Sequence, residues 1–331
     1  MADCSVEWAP RGLPIFTLTT SALISTISVI SNVAIVVAFI KDPLKKLHTP
    51  FNYFIISLSA SDLITGFVVM PISMTTHYLE SQRTIDASAR YAIRISYLIA
   101  STGSTLSIIA LSVDRFAAIE WPMRYRQNLG YVKCIIVTIA LWVIAVSLPF
   151  LYFLIGYRNY LMVHANLSLV LGIGLLFIIY VRVYLYLRKN SQDLRKNLQL
   201  TSSVARDFDL KRMLVEKKAT RTFLVILLLY VVTYLPAVIF IYIIFFCKNC
   251  TCDFIHVIRD TQFLLVASNS CVNAFVCTFR IKHFRQSIRI VFTRNGRKVS
   301  DLNLQSTSHS MVISPAKSRL PNNNTEMRIN R

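Results

Sequence analysis

Oxygen-bearing side chains interrupt several of the longest apolar runs in the sequence. Asp62 lies in the middle of one run, and the other runs carry amide or hydroxyl groups at Asn32, Ser104, Asn269, Ser270 and Asn273. A carboxylate inside an apolar core needs a partner, a proton or a cation. Two interpretations stay open from these residues alone: oxygen ligands around a sodium ion or a water cluster, or a packing network around a protonated Asp62.

Charged residues of opposite sign lie where two apolar runs meet polar sequence. Asp114 and Arg115 stand together in "LSVDRFAAIE", and Glu216 shortly precedes a later apolar run. When the runs are counted as membrane spans, Arg115 and Glu216 lie at the same membrane edge. An ion pair there, partly out of water, would join two helices. The alternative is ordinary snorkelling of the side chains to the interface.

Two arginines near the start of the third apolar run place two positive charges close together. Arg90 and Arg94 are four residues apart and share one helix face, about one to two turns before Tyr97. Both side chains could snorkel to headgroup phosphates or water. The functional alternative is a site for a carboxylate or phosphate of a lipid or peptide ligand, held by charge-assisted hydrogen bonds.

Three cysteines crowd one polar turn, "CKNCTC", which contains Cys247, Cys250 and Cys252. We expect a disulfide within an outward-facing loop, with the pairing undetermined, and free thiols are the alternative. A zinc site lacks a fitting pair of histidines.

The composition indicates a membrane protein. The chain is 54% hydrophobic and 16% charged, with a formal net charge of +20, whereas a soluble domain carries about 25% charged residues. The basic residues cluster between apolar runs instead of covering a polar face, which argues against a nucleic-acid partner. The sequence has no phosphate-binding loop, zinc signature or nucleophile elbow, so we expect neither an enzyme nor a cofactor other than a sodium ion.

Seven apolar runs are long enough to cross a bilayer, which takes about 20 residues. Basic residues are concentrated in alternate loops, which places the N-terminus outside and the tail inside. The sequence therefore predicts an all-α membrane protein, a seven-transmembrane helix bundle with an extracellular N-terminus. The predicted parts are an N-terminal segment at 1–13, the bundle at 14–279, an amphipathic eighth helix on the inner membrane surface at 280–293 and a disordered tail at 294–331. The predicted spans are 14–40, 51–77, 91–113, 133–155, 160–187, 219–246 and 254–279, and the third inner loop is predicted at about 188–218.

The order of the motifs resembles that of the rhodopsin-like, or class A, G protein-coupled receptors from about residue 25 to residue 292. Single motifs are weak evidence, but seven in order, each on the right span, are very specific. The matching segments are "SNVAIVVAF" with Asn32, "LHTPFNYFIISLSASDL" with Asp62, "LSVDRFAAIEWPMRY" with Arg115, Trp142, "YVRVY" with Tyr180, "EKKATRTF" with Glu216, "YVVTYLP" with Pro236 and "SNSCVNAFVCTFR" with Asn273.

The resemblance implies roles for these residues. Asp62, Ser104, Asn269, Ser270 and Asn273 fill the side-chain positions of the family's sodium pocket. G protein coupling and an ionic latch are implied for Asp114, Arg115, Glu216 and Tyr180, and a conformational switch for Tyr230, Tyr234, Pro236 and Asn273. The implied partners are a heterotrimeric G protein, arrestin and a receptor kinase through the tail, the lipid bilayer and an unidentified extracellular ligand. The implied location is the plasma membrane.

Several positions depart from the family pattern. The family's "CWxP" reads "TYLP", so that Tyr234 stands for the usual Trp, and "NPxxY" reads "NAFVC". Gly172 stands where the family carries a Pro in the fifth span. Arg90 stands where the family carries a Cys in the third span, so the disulfide that this Cys usually forms is absent. These departures concern the details of switching and leave the predicted fold intact.

The chain resembles most the melanocortin, adenosine and cannabinoid types of receptor. Tyr97 stands where amine receptors carry an Asp, which argues against a biogenic amine, and Ala267 stands where opsins carry the retinal Lys. A proton- or sodium-coupled transporter is the alternative function. Transporters often show inverted repeats, and we find none here.

Overall fold

The computed structural model describes residues 8–84, 86–121, 125, 130–169, 174, 177–182, 184–185, 188 and 203–293; the side chains of residues 119 and 203–224 lie outside this description. Within these residues the regular structure is helical. The helices are α1 (Gly12–Lys41), α2 (Pro50–Ser81), α3 (Ala87–Glu120), α4 (Tyr131–Ile155), α5 (Tyr157–Leu167), α6 (Ser203–Phe246), α7 (Cys252–Arg280) and α8 (Lys282–Phe292). A π-helical turn lies within α2 and a 3-10 turn within α4.

The predicted all-α membrane bundle is confirmed. Six of the described helices, namely α1 to α4, α6 and α7, are long and apolar enough to cross a membrane. They occur at the predicted spans and in the predicted order. The fifth span, predicted at 160–187, is described as α5 and as helical residues at 177–182.

The third inner loop, predicted at 188–218, is helical from Ser203 onward, because α6 begins there, whereas the part of α6 that is apolar enough to cross a membrane begins at Val225. The charges of this segment suggested a loop. Its Leu, Met, Lys, Glu and Arg residues are good helix formers, however, so the helix continues past the apolar run. The tail at 294–331 and the N-terminal residues 1–7 lie outside the described residues.

The helix α8 lies within the predicted segment 280–293. Phe284 and Ser287 are buried against the bundle, while Lys282, Arg285 and Arg289 are exposed. This separation of faces is that of an amphipathic helix. The position of α8 on the inner membrane surface stays a prediction.

Polar residues fix where α3 and α7 begin. The Asp86 carboxylate accepts hydrogen bonds from the backbone N–H groups of Ser88 at 2.8 Å and Ala89 at 3.3 Å, which caps α3. Hydrogen bonds from Ser88 and then Ala89 lower the pKa of Asp86. The Thr251 hydroxyl caps α7 by accepting from the Phe254 N–H at 3.4 Å.

Small and polar residues let α1 approach α2 and α7 closely. A Cβ on Gly66 would lie 2.8 Å from Val29 Cγ2, so glycine is needed at this contact. The Ser28 hydroxyl donates to the Asp62 carbonyl at 2.9 Å, and the Asn32 amide donates to the Ser270 carbonyl at 3.2 Å. These bonds hold α2 and α7 at a common depth, and thereby position the candidate site between them.

Candidate functional site

A buried polar core forms where α2, α3 and α7 meet. Asp62 is only 2% exposed, and its Oδ2 accepts a hydrogen bond from Asn273 Nδ2 at 3.3 Å. Asn269 Nδ2 donates to Ser104 Oγ at 3.4 Å, which links α7 to α3. The structure thus brings together residues that the sequence places on three separate apolar runs.

The core has more oxygen acceptors than hydrogen-bond donors to satisfy them. Asn269 Oδ1 and Asn273 Oδ1 are buried and have no hydrogen-bond partner among the residues that the structure describes, and a buried oxygen left without one is costly. Among the described residues, no Lys or Arg forms an ion pair with Asp62. The Ser270 hydroxyl donates its proton to the Ala267 carbonyl at 2.5 Å, so its oxygen can only accept from other groups. A carboxylate together with amide and hydroxyl oxygens suits a hard cation such as sodium.

The core opens onto a small cavity of about 10 Å³. A cavity of this size holds about one water-sized sphere. Its lining includes four of the five predicted sodium ligands, together with two tyrosines: Asp62, Ser104, Asn269, Ser270, Tyr97 and Tyr234. The oxygen atoms that line the cavity and its volume therefore fit a small cation or one water molecule.

An aromatic layer lies beside the polar core. Tyr230 and Tyr234 of α6 stack with ring centroids 4.1 Å apart, and the Tyr230 hydroxyl lies 3.2 Å from Thr105 Oγ1 on α3. Both tyrosines are buried, and Pro236 lies two residues further along α6. This arrangement connects α6 to α3 at the depth where the family's switch is expected.

Tyr97 lies on α3 and faces α7. Its hydroxyl accepts a hydrogen bond from Gln262 Nε2 at 2.8 Å, and its ring packs on Phe263 with centroids 5.4 Å apart. The sequence analysis missed Gln262, because a single Gln near the polar start of an apolar run gives little signal.

A cluster at the inner end of α3 holds Arg115. The guanidinium donates twice to Asp114 Oδ2, from Nη2 at 2.5 Å and from Nε at 2.9 Å, and lies 4.2 Å from the ring centroid of Phe51. Tyr125 closes the cluster: its hydroxyl donates to Asp114 Oδ1 at 2.8 Å and accepts from Arg115 Nη2 at 3.3 Å. We call Asp114, Arg115 and Tyr125 the inner arginine cluster.

The sequence analysis also missed Tyr125, whose only signal is a tyrosine in the polar segment "PMRYRQ" ten residues after Arg115. Burial, and next the Asp114 carboxylate, raise the pKa of the Tyr125 hydroxyl. Tyr125 therefore stays neutral and can donate to Asp114.

Two predicted members of the coupling site are not placed in this cluster. The backbone of Glu216 lies in α6, but its side chain lies outside the described residues. Tyr180 is half exposed, and its ring stacks on Tyr184 with centroids 6.4 Å apart. Their roles stay predictions.

The two outer arginines have different surroundings. The Arg94 guanidinium lies 4.4 Å from the ring centroid of Tyr157 on α5, a cation–π contact. Arg90 is partly buried and has no ion pair with any described residue. Arg94 thus has a partner within the protein, which ordinary snorkelling would not require.

The predicted disulfide in the loop between α6 and α7 is confirmed. Cys247 and Cys250 are bonded to each other, and Cys252 is disulfide-bonded as well. The alternative of free thiols is therefore wrong for this turn. Cys134, Cys271 and Cys277 are free and lie inside helices, as expected for small packing residues.

Residues 31–159 match the model of the family described as 7 transmembrane receptor (rhodopsin family). A tyramine receptor of Caenorhabditis elegans is 31% identical over 144 residues, which are 43% of this chain and 30% of that protein. The 5-hydroxytryptamine receptor 2B of Dichotomyctere fluviatilis is 29% identical over 35% of this chain and 25% of its own length. The histamine H1 receptor of Bos taurus is 29% identical over 42% of this chain and 28% of its own length. The matched segment thus spans under a third of each relative.

Proposed function

We propose that this chain, of which residues 31–159 match the rhodopsin family of seven-transmembrane receptors, passes the binding of an extracellular ligand to a cytoplasmic heterotrimeric G protein. The chain is accordingly a multi-pass protein of the plasma membrane and not an enzyme. The match to a receptor family favours this function over a sodium- or proton-coupled transporter. Arrestin and a receptor kinase are proposed as further partners of the tail.

The inner arginine cluster is the observation that carries the proposal. Arg115 is 17% exposed in its side chain, whereas the side chain of its partner Asp114 is 1% exposed. The cation therefore lies at the boundary between the bundle and the inner membrane edge. Its polar contacts to Asp114 and Tyr125 satisfy it in this conformation, and breaking them would leave a guanidinium free to contact an incoming protein.

Sodium is proposed as an allosteric ion of the polar core. Two observations support this proposal: Asn269 Oδ1 and Asn273 Oδ1 have no hydrogen-bond partner in the described part of the chain, and Asp62 forms no ion pair with a described Lys or Arg. An ion bound at the junction of α2, α3 and α7 would stabilise this conformation over one in which the helices move apart, and would thereby oppose activation.

The ligand is proposed to carry an anionic group. Arg94 and Arg90 supply positive charge beside the outer part of the bundle, and Tyr97 supplies a neutral hydroxyl already bonded to Gln262. The relatives named above are amine receptors, but Tyr97 cannot provide the carboxylate that would pair with an amine. We therefore do not extend their ligands to this chain.

The test of the proposed function is signalling without added ligand in cells. Asp114→Asn removes the negative charge that pairs with Arg115, and Tyr125→Phe removes the hydroxyl that accepts from Arg115 and donates to Asp114. Both should therefore raise basal G protein signalling at matched surface expression. Tyr131→Phe, which changes an exposed tyrosine at the start of α4, is the control and should leave basal G protein signalling unchanged. Basal signalling at the wild-type level in both cluster variants would contradict the proposal.

A further inference from the structure

Cys252, the first residue of α7, forms a disulfide with a cysteine outside its own turn. Cys247 and Cys250 are bonded to each other, so neither of them can be its partner. Cys252 is nevertheless disulfide-bonded, and only 7% of its surface is exposed. Its sulfur must therefore be joined to a cysteine of another segment of this chain or of a second copy.

The cysteine content of the sequence leaves one partner within the same chain. The chain has seven cysteines. Three of them are free thiols within helices, namely Cys134, Cys271 and Cys277. Apart from Cys252 and the bonded pair of the loop, the remaining cysteine is Cys4, which lies outside the described residues. Elimination thus identifies Cys4 as the intrachain partner of Cys252.

Both cysteines belong to the same side of the membrane. The charge asymmetry of the loops places the N-terminus outside. Thr17 near the start of α1 contacts Asp260 near the start of α7, so the start of α7 lies at that side as well. Disulfides form and persist in such an oxidising environment. The two thiols give up two hydrogens to a disulfide oxidant of the secretory pathway, whose own disulfide is reduced to two thiols.

The starts of α1 and α7 are close enough for the bond. The Thr17 hydroxyl donates to Asp260 Oδ2 at 3.1 Å, which sets these two residues at one depth. From there α1 extends outward by about 8 Å to Gly12, and α7 extends by about 12 Å to Cys252. Packed helices are about 8–10 Å apart, whereas the residues from Cys4 to Gly12 can span up to about 26 Å. The N-terminal segment is therefore long enough to reach Cys252 without movement of either helix.

The chain before α1 also lies against this end of the bundle. The guanidinium of Arg83, just after α2, lies 5.5 Å from the ring centroid of Trp8. At the same end α2 meets α7, because His77 Nδ1 is 3.9 Å from Asp260 Oδ2. Trp8 is thus held where α2 approaches α7, and Cys4 is at most about 13 Å of extended chain away from it.

We propose that Cys4 and Cys252 form a disulfide, which ties the N-terminal segment to the first residue of α7 and fixes the outer end of α7 beside α1. The tie acts on the part of α7 that reaches α3, since Gln262, ten residues after Cys252, donates to the Tyr97 hydroxyl at 2.8 Å. A bond to a second copy is the alternative, and it would produce a covalent dimer.

The test is whether the N-terminus stays attached after the chain is cut. An epitope tag before Met1 and a protease recognition sequence inserted between Ser5 and Val6 allow the segment with Cys4 to be cut from the full chain in nanodiscs. On a gel without reductant the tag should stay with the monomer band, and dithiothreitol should release it. Cys4→Ser and Cys252→Ser should each release the tag without dithiothreitol. Cys271→Ser, which removes a free thiol of α7, is the matched control and should retain the tag.

Three results would overturn the proposal. Release of the tag from the wild-type chain without dithiothreitol would mean that Cys4 forms no bond. Retention of the tag in Cys252→Ser, or its release in the double variant Cys247→Ser, Cys250→Ser, would mean that Cys4 is bonded to the loop pair. A dimer band that Cys252→Ser abolishes would place the bond between two copies. If Cys252→Ser does not fold, mass spectrometry of non-reduced peptides from the wild-type chain identifies the partner of Cys4.

Amide hydrogen exchange measures the effect of the bond on α7. In Cys4→Ser the backbone amides of residues 253–259 should exchange faster than in wild type, because the first turns of α7 lose their tie. The amides of residues 274–280, at the inner end of α7, should exchange as before. Equal exchange at 253–259 would contradict the claim that the bond fixes the outer end of α7. Neither measurement needs a G protein, so failure here would leave the proposed receptor function untouched.

Discussion

The single residues of the polar core were predictable, because a polar side chain inside a membrane span costs free energy unless it has a partner. An Asp and four amide or hydroxyl residues inside apolar runs have few explanations other than a shared polar site. Gln262 and Tyr125 were not predictable in the same way. Both occur among polar residues, where a Gln or Tyr gives no signal of its own. The packing of α7 on α3 brings Gln262 to Tyr97, and the fold of the chain after α3 brings Tyr125 to Asp114.

Asp62 gives the sharpest prediction at this scale. If sodium binds the polar core, sodium chloride should lower basal nucleotide exchange relative to choline chloride, because the ion prefers the resting conformation. Asp62→Asn removes the charge that attracts the ion, so the difference between the two salts should vanish. Asp86→Asn, at the exposed cap of α3, should retain the wild-type difference. A sodium effect that survives in Asp62→Asn would place the ion elsewhere.

Arg94 gives a prediction about the ligand. Once an agonist is identified, its potency should fall strongly in Arg94→Ala and be only partly restored in Arg94→Lys, because lysine cannot reproduce a bidentate contact to a carboxylate or phosphate. Arg83→Ala, a nearby outer arginine that lies over Trp8, is the control. Dose–response curves that coincide for wild type, Arg90→Ala and Arg94→Ala would exclude an anionic contact at these positions.

At the scale of elements, α3 and α6 carry the two halves of the predicted ionic latch. Arg115 lies beside Asp114 in the last two turns of α3, and Glu216 lies in the inner part of α6. Loss of one partner of a partly buried pair costs about 3–5 kcal/mol, and a shift of about 1.4 kcal/mol changes an equilibrium tenfold. Glu216→Ala should therefore raise basal signalling several-fold at equal surface expression. Unchanged signalling would mean that Asp114 and Tyr125 hold Arg115 without help from α6.

Trp142 ties α4 to the bundle. Its indole N–H donates to Ser57 Oγ of α2 at 3.1 Å, and Ser57 Oγ lies 2.8 Å from Ser107 Oγ of α3. Trp142→Phe keeps an aromatic ring but removes the donor, which should cost about 1 kcal/mol of stability. The unfolding midpoint of the purified chain should fall, whereas Trp121→Phe, at a half-exposed position, should leave it unchanged. Equal midpoints for Trp142→Phe and wild type would show that the indole bond adds no stability.

The boundaries predicted from the sequence mark where the chain crosses the membrane, and they do not mark where the helices begin and end. Apolar runs show where a helix enters and leaves the bilayer, but α6 continues through charged helix-forming residues back to Ser203. The start of α3 was likewise placed at 91 although Asp86 caps the helix at Ala87. Hydropathy reports the surroundings of a helix, and capping and propensity decide where it ends.

At the scale of the whole molecule, hydropathy and charge were enough to predict the fold class. Only helices or closed barrels satisfy their backbone hydrogen bonds in lipid, so long apolar runs leave a helix bundle as the outcome. The contacts of Asp62 with Asn273 and of Tyr230 with Thr105 join segments that are far apart in the sequence. Asp62, Asn273 and Tyr230 were predicted one by one, but the sequence could not show which partner each would contact.

The most direct measurement of the central claim is guanine nucleotide exchange by purified heterotrimeric G proteins added to this chain in nanodiscs. Wild type, and more strongly Asp114→Asn, should speed exchange on at least one heterotrimer above the rate with empty nanodiscs. Arg115→Ala should return the rate to that of empty nanodiscs, and Arg83→Ala should not change it. Exchange no faster than with empty nanodiscs in wild type and Asp114→Asn alike, or acceleration that survives Arg115→Ala, would contradict the account.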